Sequence, residues 1–170
     1  MRIFRSLENL PKFVNPVVTV GSFDGVHLGH QQILEYVKAG AKKYEGESIV
    51  ITFHPHPQQV LHPEQDFFLI NTLEENIELI AAEEIDNLIV IPFTIAFSKL
   101  SFAHFLDFLT EKIGVKALVM GPNHNVGHNR EGNCKTMQGI CAKKGIEIIL
   151  IPEFILSDNK VRSSKIREYI

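Results

Sequence analysis

Residues 17–34 read VVTVGSFDGVHLGHQQIL, and they predict a strand, a glycine-containing loop and a helix in succession. The β-branched run Val17–Val20 is typical of a buried strand, and apolar residues at helical spacing follow the loop. We expect the helix to begin near Gly29, with its first backbone N–H groups facing the loop and forming an anion site. His27 and His30, three positions apart, can project to the same side and suit a phosphate that gains negative charge during a reaction.

The rest of the chain alternates apolar runs with segments of helical spacing. Four further runs predict strands, at residues 48–53, 88–92, 117–120 and 146–151. The expected fold is therefore α/β, a Rossmann-like parallel five-stranded sheet with helices on both faces. Because ligands collect beyond the carboxyl ends of parallel strands, one pocket should gather the loops after the first, second and fourth strands.

Several local signals set the boundaries of these elements. Residues 1–15 form a lead-in with a short edge strand at most, and the prolines of residues 54–70 predict a long loop. Thr72–Glu75 reads as a capping box, and Ser101 as the cap of a helix that runs to about Ile113. We also expect a loop over residues 93–100, a helix over 134–144, a crossover over 154–161 and a short helix near Ser163.

Composition narrows the functional class. The 170 residues are 45% hydrophobic and 22% charged, which is typical of a globular protein, and we expect a single domain over residues 1–170. The net charge of −3 argues against a general attraction to nucleic acid. There is no apolar run of membrane-spanning length and no signal-peptide pattern, so we expect no membrane partner and a cytoplasmic location. Cys134 and Cys141 are expected to be buried or idle thiols.

Four motifs follow one another along the chain: GSFDGVHLGH (residues 21–30), FHPHP (residues 53–57), GPNHNVGHNREGN (residues 121–133) and SSKIR (residues 163–167). Together they resemble the FMN adenylyltransferase (FAD synthetase) module of bacterial bifunctional riboflavin kinase/FAD synthetases, within the HxGH nucleotidylyltransferase superfamily. Residues 21–30 are similar to the G-x-F-D-G-x-H-x-G-H signature, and residues 53–57 to F-x-P-H-P. Residues 121–133, GPNHNVGHNREGN, stand where the family has a G-x-D-F-x-F-G loop, and residues 163–167 resemble S-S-T-R-I-R. In order and spacing these motifs cover essentially the whole chain.

The resemblance implies the transfer of AMP from ATP to FMN, with FAD and pyrophosphate as products. It assigns catalysis to His27 and His30. It assigns ATP binding to Gly21, Ser22, Phe23, Asp24, Gly25, Gly29, Ser163, Ser164 and Arg167. Flavin binding falls to Phe53, His54, Pro55, Pro57, Asn123 and Arg130, with residues 62–70 as a flap. Mg²⁺ is expected to arrive with ATP, bound mainly through phosphates and water.

From the residues alone, other interpretations stay open. The histidine pair could only cap a helix, Asp24 could fix its loop by accepting backbone N–H groups, and Arg130 is equally a surface cation. The PHP stretch is equally a proline-stiffened turn. The histidines of residues 54–56 and 124–128 lack the helical context and the acidic partner of a zinc site, so no protein-held metal is expected.

The chain departs from the family pattern at several positions. Asn123 replaces the usual Asp, His124 and Asn125 replace an aromatic and a basic residue, Arg162 replaces the first serine of the terminal motif and Ser22 replaces the commoner Asn. Because the sequence ends at Ile170, we expect it to lack the β-barrel riboflavin kinase domain into which the bifunctional family continues. It would then be either a monofunctional adenylyltransferase or a part of a longer protein. Two alternatives therefore accompany the main hypothesis: a sister nucleotidylyltransferase with another phosphate acceptor, such as phosphopantetheine, and a flavin- or nucleotide-binding module that no longer catalyses. The oligomeric state is left open.

Overall fold

A computed structural model of the chain describes residues 1–121, 134–152, 155–156, 159–160 and 163–169. Its centre is a fully parallel sheet of six strands in the order β1-β4-β3-β2-β5-β6. The strands are β1 (Arg2–Phe4), β2 (Val17–Val20), β3 (Ser48–His54), β4 (Asn87–Pro92), β5 (Ala117–Met120) and β6 (Glu147–Leu150). The predicted α/β class and parallel sheet are confirmed.

The predicted count of five strands is wrong by one, because the lead-in contributes the edge strand β1. This strand pairs in parallel with β4, with Ile3 opposite Leu88, and Arg2 Nε donates to Asn87 Oδ1 at 2.8 Å. It has only three residues, and two of them are exposed. A segment this short and open carries too little hydrophobic pattern to be assigned to the sheet from sequence.

Helices cover both faces of the sheet. On one face α1 (Leu28–Lys43) and α3 (Leu73–Ala82) bury Leu34, Val37 and Ile80. On the other, α5 (Phe102–Ile113) and α6 (Cys134–Lys143) lie over a core that includes Phe105, Leu109 and Met137. Successive strand residues pack on opposite faces of the sheet. Val18 packs in the core beneath α5 and α6, and Val17 packs in the core beneath α1. Among the described residues, no helix is both long and apolar enough to cross a membrane.

Local boundaries follow the predicted caps closely. The Thr72–Glu75 capping box is present in full, and the Ser101 side chain accepts from His104 N–H at the start of α5. The helix after the glycine loop begins at Leu28, one residue before Gly29. Cys141 is buried and not disulfide-bonded, and burial raises the pKa of its thiol to about 11, so it is inert.

Three short elements occur where loops or a crossover are predicted. The first is α2 (Pro57–Leu61), because proline is favourable at a helix start, where no N–H is needed. The second is α4 (Ile95–Ser98), capped by Thr94. The third is an antiparallel pair of short strands, β7 (Ile155–Leu156) and β8 (Asn159–Lys160), ahead of the terminal helix α7 (Ser163–Arg167). The predicted turn at residues 157–159 lies partly outside the described residues.

Gly40, inside α1, marks a close approach between helix and sheet. A Cβ atom here would lie 2.9 Å from Val17 Cγ1 and 3.2 Å from Ile149 Cδ1. Gly40→Ala is therefore expected to lower the free energy of unfolding by about 1–2 kcal/mol, because overpacking outweighs the better helix propensity of alanine. Urea denaturation measures the change.

The control is Gly139→Ala in α6, where an added Cβ meets no described atom within 4 Å. This variant should gain up to about 1 kcal/mol from helix propensity alone. Equal effects of the two substitutions would contradict the packing explanation for Gly40.

Candidate active site at the glycine loop

His27 and His30 stand together at the start of α1. His27 is the N-cap, and its Nδ1 accepts from His30 N–H at 3.3 Å. The two imidazole rings are stacked, with centroids 3.7 Å apart and an interplanar angle of 16°. His27 therefore caps the helix, and its ring also lies on the same side as the ring of His30.

The cap favours one tautomer of the His27 ring, although the same His30 N–H also donates to the His27 backbone carbonyl at 2.7 Å. Because Nδ1 accepts a hydrogen bond, the neutral ring carries its proton on Nε2, which is then a donor. Burial lowers the pKa of His27, although its own backbone and the nearby Asp24 carboxylate partly oppose this. The neutral form with an Nε2–H donor is thus favoured by burial and by the cap.

The contacts described for the glycine loop are made with the surrounding protein. Phe23 is 1% exposed, lies in the core between α1 and α3, and has its ring centroid 5.0 Å from that of His30. Ser22 uses its carbonyl to accept from Thr52 Oγ1 at 3.0 Å, and Gly21 N–H donates to Ile51 O at 3.0 Å. Gly25, at φ +86°, donates its N–H to Asn76 Oδ1 at 3.2 Å. These residues shape the loop and support His30.

The terminal helix α7 contacts the glycine loop directly. Ser163 Oγ donates to Asp24 O at 3.0 Å, and Arg167 Nη2 forms an ion pair with Asp24 Oδ2. The Asp24 carboxyl group also accepts from Ile70 N–H at 3.0 Å. Asp24 therefore binds a backbone N–H group, as one interpretation of the sequence predicted, but this group belongs to a segment distant in sequence and not to its own loop. Ser164 is exposed. The structure thus brings the predicted motifs at residues 21–30 and 163–167 together.

The PHP turn, which follows β3, is connected to the terminal helix through the ring of Phe67. His56 caps α2, with Nδ1 accepting from Gln58 N–H at 3.1 Å, and its ring stacks on Phe67 with centroids 4.5 Å apart. The Phe67 ring in turn lies 4.3 Å from the guanidinium carbon of Arg167. His54 and Pro55 are exposed, so the inward histidine of this turn is His56.

An aromatic cluster lies where β3 and β4 end. Phe53 is half-buried, and its ring centroid is 5.5 Å from Phe93 and 5.6 Å from Phe97. Phe97 also contacts Phe105 edge-on at 5.7 Å. The cluster forms an apolar wall at the carboxyl edge of the sheet, where Phe53 was predicted.

Sequence reasoning missed His56, Phe67, Asn76, Phe93 and Phe97 as contributors to this region. The first two stood inside quoted segments, the PHP motif and the predicted flap, so a signal was present. Asn123 and Arg130, and the histidines at 124 and 128, lie outside the described residues, as does Arg162.

One other feature of the described residues, a cleft, lies away from this assembly. A cleft of about 470 Å³ separates residues 7–13 from the end of α5, and none of the predicted site residues lines it. The charged residues that line this cleft include Lys12, Lys112 and Glu111. Its described lining contains neither a glycine loop nor a buried polar group that could orient a ligand. Among the described residues, no three His, Cys, Asp or Glu side chains cluster as metal ligands.

Stability should depend on pH through His56. Burial lowers its pKa from 6.5 to about 4, and the Arg167 charge adds to this while Asp24 opposes it. The unfolded state then binds more protons between these two pH values, so stability is full above pH 6.5 and declines as pH falls towards 4. Because the ring is partly exposed, we expect a loss of about 1–2 kcal/mol.

His56→Asn tests this expectation, since asparagine keeps an N-cap acceptor but does not titrate. Urea unfolding at pH 7 and pH 4.5 should show a smaller loss in the variant than in the parent protein. The control, His62→Asn, changes an exposed histidine at the end of α2 and should retain the parental loss. An unchanged pH dependence in His56→Asn would contradict the assignment.

Comparison with known proteins places this assembly in a family. The FAD synthetase family model matches residues 11–165. Three similar proteins are each named bifunctional riboflavin kinase/FMN adenylyltransferase. The one from Buchnera aphidicola subsp. Acyrthosiphon pisum is 30% identical over 99% of this chain and 54% of its own length. The Listeria monocytogenes protein is 31% identical over 92% and 50%, and the Escherichia coli K12 protein 26% identical over 99% and 55%.

The chain therefore spans about half the length of the curated relatives it matches. A crystal structure described as a macrolide-efflux protein from Streptococcus pneumoniae superposes with a TM-score of 0.87 at 23% identity. The superposition covers 99% of this chain and 56% of that one, and at this identity it concerns the fold alone. Because the family match extends over residues 11–165, well over half of the sequence, the protein belongs to the FAD synthetase family.

Proposed function

We propose that this chain transfers AMP from ATP to FMN, forming FAD and pyrophosphate. The observation that carries the proposal is the stacked pair of His27 and His30 at the N-terminus of α1. Two imidazoles beside the positive end of a helix suit a polyphosphate, and the first turn of α1 contains no acidic residue to repel one. The names of the relatives, which include FMN adenylyltransferase, support the same reaction.

In this reaction a phosphate oxygen of FMN attacks the α-phosphorus of ATP. The new P–O bond forms as the bond from the α-phosphorus to the bridging oxygen breaks, and pyrophosphate leaves with that electron pair. Nucleotidyl transfer of this kind needs positioned groups and charge stabilisation more than covalent help. The Nε2–H of His27 and the imidazole of His30 would donate to the oxygens on which negative charge grows.

On the nucleotide side, the proposal uses the backbone around Gly29 and the hydroxyl of Ser164. Ser163, whose hydroxyl already donates to Asp24 O, would act by holding α7 against the glycine loop. Gly29 lies in the first turn of α1, where the absence of a side chain lets phosphate approach the helix N–H groups. Gly21, Ser22 and Phe23 would shape this surface through their backbone. Mg²⁺ would come with ATP and neutralise phosphate charge, held mostly by phosphates and water.

On the flavin side, the wall of Phe53, Phe93 and Phe97 offers apolar surface for an isoalloxazine ring. Pro57 and the half-buried His56 stiffen the neighbouring turn. Of the predicted flavin contacts, His54 and Pro55 stay proposals at the exposed edge of this wall. Asn123 and Arg130 stay predictions on residues outside the described ones.

One assay tests the proposal. The protein is incubated with FMN, ATP and Mg²⁺, and FAD is followed by chromatography; we expect FAD to form in proportion to enzyme and to stop when EDTA removes the metal. FMN binding without FAD formation would instead support a lapsed binding module. A lack of both FMN binding and FAD formation would support a sister enzyme with another acceptor. A cytoplasmic location, where ATP is available, belongs to the same proposal.

A further inference from the structure

The ring of Phe67 joins two parts of the candidate site that are distant in sequence. It stacks on the imidazole of His56, in the PHP turn, with centroids 4.5 Å apart and an interplanar angle of 23°. It also lies 4.3 Å from the guanidinium carbon of Arg167, in the terminal helix, which is the geometry of a cation–π contact. One side chain therefore touches the turn on the flavin side and the helix on the nucleotide side.

Phe67 also anchors the predicted flap over residues 62–70. Residues 61–66 are all exposed, so Phe67, which is half-buried, is the first side chain after α2 that packs against the protein. The next side chain, Phe68, is 76% exposed. A surface segment with few buried contacts opens easily, and the contacts that it keeps decide where it lies. The place of this part of the flap therefore depends on the two groups that the Phe67 ring touches.

Arg167 can keep its contact with Phe67 and still bind a phosphate. Its Nε donates to Phe68 O at 2.9 Å, and its Nη2 forms the ion pair with Asp24. A guanidinium carries five N–H groups, so these two described contacts leave donors for oxygens of ATP, the contact that the family resemblance predicts for Arg167. A bound phosphate would then fix the guanidinium in place against the Phe67 ring.

His56 carries the contact onward into the PHP turn. Its Nδ1 caps α2 by accepting from Gln58 N–H at 3.1 Å, so the imidazole is held at its edge by the helix and on its face by Phe67. The helix α2 has only five residues, and none of them is buried. Its position therefore depends on contacts such as this stack, and a Phe67 ring that is held more firmly would hold the turn more firmly as well.

We propose that Phe67 is a positioning residue that couples the two substrate sites, so that ATP bound at Arg167 raises the affinity for FMN beside the PHP turn. This role rests on the proposed function, which places ATP and FMN on these two sides. When ATP orders Arg167, Phe67 and His56 lose mobility as well, so FMN then binds to a turn that is already ordered. Because coupling between two sites is reciprocal, FMN must raise the affinity for ATP by the same factor.

The test measures FMN affinity by quenching of flavin fluorescence, with Mg²⁺ and with or without an ATP analogue whose α- and β-phosphorus atoms are joined by a methylene group, which prevents AMP transfer. The coupling factor is the dissociation constant for FMN without the analogue divided by that with it. In the parent protein we expect a factor of about five or more. Phe67→Ala and Phe67→Leu should reduce it to below about two, since leucine keeps apolar bulk but has no aromatic face. Phe67→Tyr keeps the face and should keep the factor.

Two further measurements separate coupling from a loss of structure. The matched control is Phe68→Ala, the same deletion one position along at a side chain that is 76% exposed, which should leave the coupling factor unchanged. In hydrogen–deuterium exchange, the analogue should slow the Gln58 amide, which donates to His56, in the parent protein but not in Phe67→Ala. A merely structural residue would instead change FMN affinity equally with and without the analogue.

A parent protein that binds both ligands without coupling would overturn the proposal. An unchanged factor in Phe67→Ala, a full factor in Phe67→Leu, an equal loss in Phe68→Ala or unaltered exchange at Gln58 in the parent protein would each overturn it too. If thermal unfolding shows that Phe67→Ala does not fold, Phe67→Leu provides the same comparison. These readouts need no catalysis, so coupled binding without FAD formation would refute the transfer reaction but not the coupling. A parent protein that binds no FMN would refute both.

Discussion

His30→Ala is expected to slow FAD formation by about 30- to 150-fold, which corresponds to about 2–3 kcal/mol of barrier. The imidazole of His30 lies parallel to that of His27 at the start of α1, where charge would grow on the transferring phosphate. Alanine removes this ring but keeps the backbone N–H that donates to His27 Nδ1, so the helix cap should survive. The loss should therefore fall on the turnover number and leave the fold intact.

The measurement is kcat for FAD formation at saturating ATP and FMN, with thermal unfolding as a check on folding. The chain offers a close control in His104, which occupies the same third position of a capped helix and whose N–H donates to Ser101 Oγ at 3.2 Å. His104→Ala should leave kcat unchanged. His27→Asn separates capping from chemistry, since asparagine caps a helix but lacks Nε2–H. An unaltered turnover number in His30→Ala would remove His30 from the mechanism.

The histidine pair could be predicted because its geometry is local. His27 and His30 lie on one helix start, and helical periodicity alone places residues three apart on one side. The central strands of the sheet could be predicted as well, since a run such as residues 88–91 is apolar throughout and is followed by a proline. The sequence pattern and the structure agree where a feature depends on a single helix or strand.

The ion pair of Asp24 and Arg167 joins residues separated by 143 positions, and no local pattern encodes such a contact. The orientation of the PHP turn was inaccessible for a related reason, because the choice between His54 and His56 as the inward ring depends on how α2 packs. Pro57 was interpreted as a breaker although it begins that helix. Tertiary contacts of this kind decide how the candidate site is closed.

Gly25→Ala is expected to cost about 2–4 kcal/mol of unfolding free energy and most of the FMN affinity. Gly25 has a φ of +86°, a conformation that costs an L-residue about 1–2 kcal/mol. A Cβ atom would also lie 2.9 Å from Ile70 Cγ2 and 3.0 Å from Ile70 Cδ1, so Ile70, at the end of the predicted flap over residues 62–70, would have to shift. That shift would pull Ile70 N–H away from Asp24, and the Gly25 N–H away from Asn76.

A double variant separates the two costs. Ile70→Ala removes both atoms nearest to the new Cβ, so the steric part of the Gly25→Ala effect should shrink by about 1 kcal/mol in that background, while the dihedral part stays. Urea denaturation of the four proteins gives the coupling energy, and flavin fluorescence gives FMN affinity in each. A Gly25→Ala effect of the same size in the parent protein and in the Ile70→Ala variant would mean that the backbone conformation alone requires glycine. A measurable coupling would instead link the glycine loop sterically to the predicted flap over residues 62–70, because Ile70 is the residue through which a change at Gly25 reaches the flap.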